Sequence, residues 1–174
     1  MSVNTSGNLY VIAMVAGQRV ALDATSVASV VDLTNIVPVP LSPTHMLGLC
    51  TLRSLILTVV DLANALKLHS EEYSKRAVTM EIDGHHYAFI VNSVEQVEAS
   101  IEPFCPVDHS VGLNWLPVVT GRIATESGTA LVLDLRRLVV VGGDPPGVNL
   151  TDSANSSNWV HCSPMINSTL ITQC

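Results

Sequence analysis

Gly17-x-x-Val20-Ala21-Leu22-x-x-x-Ser26-Val27-x-x-Val30 returns 67 positions later as Gly84-x-x-Tyr87-Ala88-Phe89-x-x-x-Ser93-Val94-x-x-Val97. Each copy reads as a glycine turn that feeds an apolar strand and then a second β-rich segment. A further correspondence follows in the same order, with Gly48 matching Gly121 and Val60-Asp61-Leu62 matching Leu133-Asp134-Leu135 at an offset of 73. Pro38-Val39-Pro40 and Pro103-Phe104-Cys105-Pro106 lie between the two blocks in equivalent places. Two blocks in one order, separated by a modest insertion, mark a duplicated β unit. The expected architecture is mostly β, with two similar small barrels of about five short strands each packed together.

Local signals agree with that plan. Leu9 to Ala16 reads as a strand that turns at Gly17-Gln18 into Arg19 to Leu22. Ala77 to Ile82 and His85 to Val91 flank Asp83-Gly84, a pair that favours a tight β-hairpin turn. Leu55 to Val60 is aliphatic and β-branched, too short for a helix, and reads as a strand. Asp61 is placed to cap a short helix from Leu62 to Leu68, and a last hairpin turns at Glu126-Ser127-Gly128 into Ala130 to Leu133. The folded domain is expected over residues 9–141, with a flexible N-terminus over 1–8. Its lobes are expected near 17–70 and 76–140, the N-terminal strand being free to be shared between them. Gly142-Gly-Asp-Pro-Pro-Gly147 stops regular structure, and 142–174 has the Asn/Ser/Thr-rich composition of a flexible tail on which Trp159 and Met165 to Ile171 are the apolar groups.

Composition narrows the function. Of the 174 residues 48% are hydrophobic and only 13% charged, so polar surface is scarce and exposed apolar patches, the usual docking places for other proteins, are expected. The formal charge is −7 and basic residues do not cluster, which argues against nucleic acid and anionic membranes as partners. The N-terminus lacks the basic region and apolar core of a signal peptide, and no apolar run reaches the roughly 18 residues of a membrane span. A cytoplasmic protein without membrane insertion is the expectation. Cys50, Cys105, Cys162 and Cys174 form no C-x-x-C pair, and Cys50 and Cys105 read as small buried hydrophobes.

The search for chemistry finds no reaction. His85 and His86 are adjacent on a strand and point to opposite faces, and His45 and His109 fall in distant loops, so a metal site is not expected. Asp61 and Asp134 are equivalent in the repeat; as helix caps they are far better placed than as a catalytic carboxylate pair. Nucleophile elbows, phosphate loops and Ser/His/Asp constellations are absent from the sequence. No cofactor and no catalysis are expected.

One residue stands out. Arg53 is the sole charge between Leu47 and Val60, in a run apolar enough to be heading for an interior. A buried guanidinium needs a carboxylate or carbonyl partner. Arg53 therefore has such a partner, or stands at the rim of a groove that something else fills, or snorkels to water from an edge strand.

Taken in order, these residues resemble the CheW family of chemotaxis coupling proteins over roughly Leu9 to Val140. The family's strand, glycine turn, Val-x-x-Val segment, Pro-x-Pro corner, Gly-Val-x-Asn-Leu-Arg-Gly motif, Ile-x-Pro-Val strand and Asp-Leu helix start read here Val11 to Ala16, Gly17, Val27-Ala-Ser-Val30, Pro38-Val-Pro40, Gly48-Leu-Cys-Thr-Leu-Arg53-Ser54, Ile56 to Val59 and Asp61-Leu62. Gly128 and Val132-Leu133-Asp134 echo the closing hairpin. The resemblance implies two SH3-like five-stranded barrels, an apolar groove between them, and a non-catalytic adaptor. Its implied partners are a methyl-accepting chemoreceptor signalling tip and the regulatory domain of a CheA-type histidine kinase. Carried over by position, Val27, Val30, Gly48, Leu52 and Arg53 are the residues expected to face the receptor or support the groove.

Two departures bear on the client. Only Leu52-Arg53 survives of the family's Asn-Leu-Arg-Gly, and Ser54 replaces a glycine. Ser29 stands where the family often carries a glutamate that pairs with the arginine, leaving Asp32 as the nearest acid in that segment. The resemblance leaves open an adaptor of a pilus-motility or other chemosensory pathway. An open apolar groove lined by Val27, Val30 and Leu52 is what a scaffold requires. A β-barrel enzyme or small-molecule binder requires an enclosed pocket with converging titratable groups.

Overall fold

The structure, a computed structural model, describes residues 8–70, 74–107 and 111–140. Its strands run β1 Leu9–Val15, β2 Gln18–Asp23, β3 Ser29–Asp32, β4 Met46–Leu52, β5 Leu55–Asp61, β6 Arg76–Ile82, β7 His85–Ile90, β8 Ser93–Ala99, β9 Cys105–Pro106, β10 Val119–Thr125 and β11 Gly128–Leu133. Two short helices, α1 Leu62–Ala65 and α2 Arg136–Val140, follow β5 and β11. The repeat is reproduced strand for strand: β1 and β2 shifted by 67 become β6 and β7, and β4 shifted by 73 becomes β10.

The strands form a six-stranded sheet, β8-β1-β2-β11-β10-β9, and a five-stranded sheet, β3-β6-β7-β5-β4. Each sheet takes the opening hairpin of one repeat and the later strands of the other. The joins are the parallel pairs: Leu131, Val132 and Leu133 beside Val20, Ala21 and Leu22, and Thr58 to Asp61 beside Tyr87 to Ile90. The lobes expected at 17–70 and 76–140 therefore do not describe how the sheets divide. β1 and β2 both leave their own repeat to join the later strands, and β6 and β7 do the reverse. Parallel pairing suits strands that are apolar on both faces, as Val20-Ala21-Leu22 and Val59-Val60 are.

Three apolar clusters follow from this. Leu33, Cys50, Leu57, Val59, Ala77, Ala88 and Ile90 fill the five-stranded lobe. Tyr10, Ile12, Ala21, Ile123, Ala130 and Val132 fill the six-stranded one. The largest joins the outer faces of the two sheets, with Val11, Val20, Leu22, Leu131 and Leu133 from one and Val60, Val78, Met80, Ile82 and Phe89 from the other. Side chains alternate faces along a strand, so Val59 serves the lobe and Val60 the joint.

Both strand-to-helix aspartates cap. Asp61 accepts the Asn64 N–H at 3.1 Å, and Asp134 accepts the Arg136 N–H at 3.1 Å. α1 stops at Ala65, short of the expected Leu68. Lys67 enters the left-handed region (φ 54), while the Leu68 and Lys67 N–H groups donate back to Ala63 and Asn64, which closes the helix as a Schellman turn. Cys50 is buried and its thiol is 3.3 Å from the Thr34 carbonyl oxygen; Cys105, expected buried, is half-buried. The tail and its Trp159 lie outside the described residues.

Candidate docking surface

The five nominated residues occupy three different places. Val30 is registered opposite Val78, and Val27 packs against the joint between the sheets, so these two share the outer face of the five-stranded sheet. Leu52 packs instead into that lobe's interior. A groove lined jointly by Val27, Val30 and Leu52 is not what the fold builds, because Leu52 and Val30 serve opposite faces of one sheet. Gly48 is buried at φ 142, and a Cβ there would lie 2.1 Å from the Val37 carbonyl oxygen. Its role is to let the Val37-Pro38 segment cross β4, where Val37 and Leu49 exchange backbone hydrogen bonds at 2.8 Å. Gly121 does the same for Phe104 and Cys105 in the other lobe.

Arg53 is not in an interior. It forms the turn of the β4–β5 hairpin with Ser54, both non-glycine residues in the left-handed region (φ 46 and 70), the pattern of a type I′ turn. The side chain is exposed, and among the described residues it makes no ion pair. Neither the nearest acid of the β3 segment nor the residue in the glutamate's place is available to it. Asp32 is paired with Arg76 at 3.1 Å, and the Ser29 hydroxyl lies 2.8 Å from that of buried Thr79.

The aliphatic run around Arg53 is largely uncovered. Leu49 is 38%, Leu55 48% and Ile56 64% exposed, beside Val37 at 65%. Thr51 pairs with Ile56 and Leu49 with Thr58, so Leu49, Thr51 and Ile56 emerge on one face of the hairpin. A continuous aliphatic run gave no sign of this, since it reads equally as a strand covered on both sides.

The equivalent hairpin tip of the other lobe is tied down. There Ser127, the counterpart of Ser54, is held by Arg19, whose Nη1 donates to its carbonyl at 2.7 Å and Nη2 to its hydroxyl at 2.5 Å. Arg19 also pairs with Glu95 at 2.8 Å. Glu98, buried on β8, accepts from Gln96 at 2.5 Å and from the Ser127 N–H and hydroxyl. Those bonds, the Gln96 one foremost, hold its carboxyl at about 2, well below its ordinary 4.5. His86 and Val31 occupy the corresponding positions of Arg19 and Glu98 in the first lobe, so no such network ties Arg53.

No enzyme-like site emerges from the rest. His85 and His86 lie on β7, and among the described residues no group of His, Cys, Asp and Glu is arranged to hold a metal. An open crevice of about 450 Å³ runs between Gln18, Trp115, Arg122, Thr129 and Leu131, with Arg122 the one charged residue among the described residues of its walls. No helix among the described residues is long and apolar enough to cross a membrane.

Two intertwined five- and six-stranded sheets with an uncovered apolar hairpin end define the fold and its candidate docking surface. The family model of the CheW-like domain matches residues 9–141, and the chain belongs to that family of chemotaxis scaffold proteins. The fold is similar to the crystal structure of the scaffolding protein TtCheW from Thermoanaerobacter tengcongensis, with a TM-score of 0.70 and 25% identity, over 80% of this chain and 97% of that one. A search of curated proteins found no match.

Proposed function

We propose that this chain is a cytoplasmic, non-catalytic adaptor that couples the signalling tip of a chemoreceptor to the regulatory domain of a CheA-type histidine kinase. Membership of a chemotaxis scaffold family supports the reading. The observation that carries it is the β4–β5 hairpin, whose Leu49, Leu55 and Ile56 are exposed around an arginine that this chain leaves unpaired among its described residues. Apolar surface of that kind is stabilised by burial at roughly 25 cal/mol per Å², and a docking partner supplies the burial. Val27 and Val30, at the edge of the joint between the sheets, form the second part of the proposed receptor-facing surface, while Gly48 and Leu52 support the hairpin from within.

The test is reconstitution. The purified chain is mixed with its cognate kinase and a receptor signalling-tip fragment, and binding and kinase activity are measured. Binding of both partners at tens of micromolar or better, with receptor-dependent change in kinase activity, is the expected result. Failure of either partner to bind at that concentration removes the coupling function. Retained kinase binding with loss of the receptor would instead favour an adaptor with another client, a reading to which the altered Leu52-Arg53-Ser54 motif also points.

A further inference from the structure

The two lobes cover their equivalent faces unequally. The offset of 73 that equates Gly48 with Gly121 also equates Ser42 with Trp115. The backbone keeps this equivalence. The Ser42 N–H donates to the Val39 carbonyl as the Trp115 N–H does to Gly112, and the Asp61 and Asp134 N–H groups donate to His45 and Val118. In the second lobe Trp115 is buried in the cluster at the joint and walls a crevice with Arg122, Thr129 and Leu131. The counterparts of those three are Leu49, Ile56 and Thr58. The first lobe thus has apolar residues where the second has Arg122 and Thr129, yet it lacks the tryptophan above them. Ser42 stands in that place with its hydroxyl donating back to Val39 at 2.8 Å, and Leu49 and Ile56 are bare.

The chain carries one other tryptophan, Trp159. Ile56, Thr58 and Val60 alternate onto one face of β5, and Val60 belongs to the joint cluster, so Ile56 lies about 13 Å along the strand from that cluster. The described chain ends against the same cluster, where Leu138 and Val139 of α2 pack. Trp159 follows Val140 by nineteen positions, through a stretch dominated by Gly, Pro, Asn, Ser and Asp. A spacer of that composition spans on the order of 25 Å, enough to bring Trp159 from the joint to Ile56. So short a tether holds the group at an effective concentration in the millimolar range, and weak apolar affinity then suffices. Charge favours the contact too. Residues 141–174 carry Asp144 and Asp152 and no Lys or Arg, whereas β4 and β5 hold no acid before Asp61.

We propose that the segment around Trp159 of this same chain covers Leu49 and Ile56, Trp159 filling in the first lobe the place that Trp115 fills in the second. The docking surface of the free chain is then closed in cis, and a partner has to displace the segment to reach it. The closing of a docking surface rests on the coupling function above; the cover itself does not.

The test uses the full chain throughout. Subtracting the emission of Trp159→Phe from that of wild type isolates Trp159 and leaves Trp115 in place. That emission is expected to be blue-shifted and severalfold less quenched by acrylamide than a free peptide of residues 155–163. Ile56→Asp and Leu49→Asp, each made in both backgrounds, are expected to return quenching to the level of the peptide. Both sites are exposed, so the carboxylate leaves the core intact. Leu113→Asp, exposed on the second lobe, is expected to change nothing. Peptide-like quenching in wild type overturns the proposal, and so does release of Trp159 by Leu113→Asp but not by Ile56→Asp. Protection that vanishes on hundredfold dilution assigns the cover to a second copy and overturns the closure in cis. Trp159→Ser is expected to raise the affinity for whichever partner the reconstitution identifies by about threefold, the gain from freeing a site that is one-third open. Unchanged affinity with Trp159 covered overturns the competition. If wild type binds neither kinase nor receptor tip while Ile56→Asp still releases Trp159, the coupling function falls and the cover stands.

Discussion

Ser29 and Thr79 face each other across β3 and β6 with their hydroxyl oxygens 2.8 Å apart, and Thr79 also donates to the Ser29 carbonyl at 3.1 Å. Introducing a carboxylate at Ser29 removes one hydroxyl partner from buried Thr79. Thr79 keeps its bond to the residue-29 carbonyl, so Ser29→Glu is expected to destabilise the fold by about 1 kcal/mol, the usual worth of one lost hydrogen bond, read as a lower urea midpoint with unchanged slope.

The Glu98 network gives a pH dependence confined to acid. The folded carboxyl sits at about 2 against an ordinary 4.5, so its contribution is complete above pH 4.5 and is lost as pH falls from there toward 2. Glu98→Gln is expected to flatten the melting temperature between those limits and to lower it at neutral pH. Profiles of both proteins that superimpose below pH 4.5 and at pH 7 would show that the network contributes nothing.

Gly48 has less freedom than Gly17. Both have positive φ, but a Cβ on Gly17 meets nothing within 4 Å while one on Gly48 meets the backbone of Val37 and Pro38. Gly17→Ala should cost about 1 kcal/mol from backbone strain alone. Gly48→Ala forces β4 away from the crossing segment and is expected to cost more than about 3 kcal/mol, or to prevent folding. Equal midpoints in denaturant for the two variants would contradict the close approach.

Ser54→Gly should stabilise. Glycine adopts φ 70 without steric penalty, so relief of about 1 kcal/mol is expected, a rise in melting temperature of several degrees. Tip binding measured beside it is expected to stay within threefold of wild type, since Arg53 keeps its place.

The two caps can be compared directly. Asp61→Ala removes the acceptor for Asn64 and should cost about 1 kcal/mol. Asp134→Ala is expected to cost about the same, because the additional pair with Arg137 at 3.5 Å is exposed and adds little. Hydrogen exchange at Asn64 and Arg136 localises each effect.

Much of this fold is legible in the residues. Asp83-Gly84 names a hairpin, Asp61 names a cap, and the two offsets place ten of the described strands in five pairs of equivalents or near-equivalents. What they do not tell is which hairpin enters which sheet. Val20-Ala21-Leu22 announces burial on both faces, but nothing local to it specifies Leu131 to Leu133, more than a hundred positions away, as its neighbour. The candidate surface divides along the same line. Strand alternation already puts Val30 and Val31 on opposite faces, yet which face meets the other sheet depends on that long-range choice. Leu55 and Ile56 look interior for a related reason: hydrophobicity records affinity for cover, and the fold leaves the turn end of this hairpin without any. Arg19 and Glu98 are distant in sequence and meet only after β8 is laid against β1.

The exchange of hairpins between repeats also sets a timetable. The five-stranded sheet has all its strands once Ile90 has left the ribosome, whereas the six-stranded sheet stays incomplete until Leu133 has followed. β1 and β2 are thus made first and are among the last to acquire their neighbours. During synthesis their apolar faces wait through some hundred residues of translation, a span in which a nascent chain is most open to wrong pairing or to a chaperone. The lobe bearing Arg53 is the one whose strands are all present early.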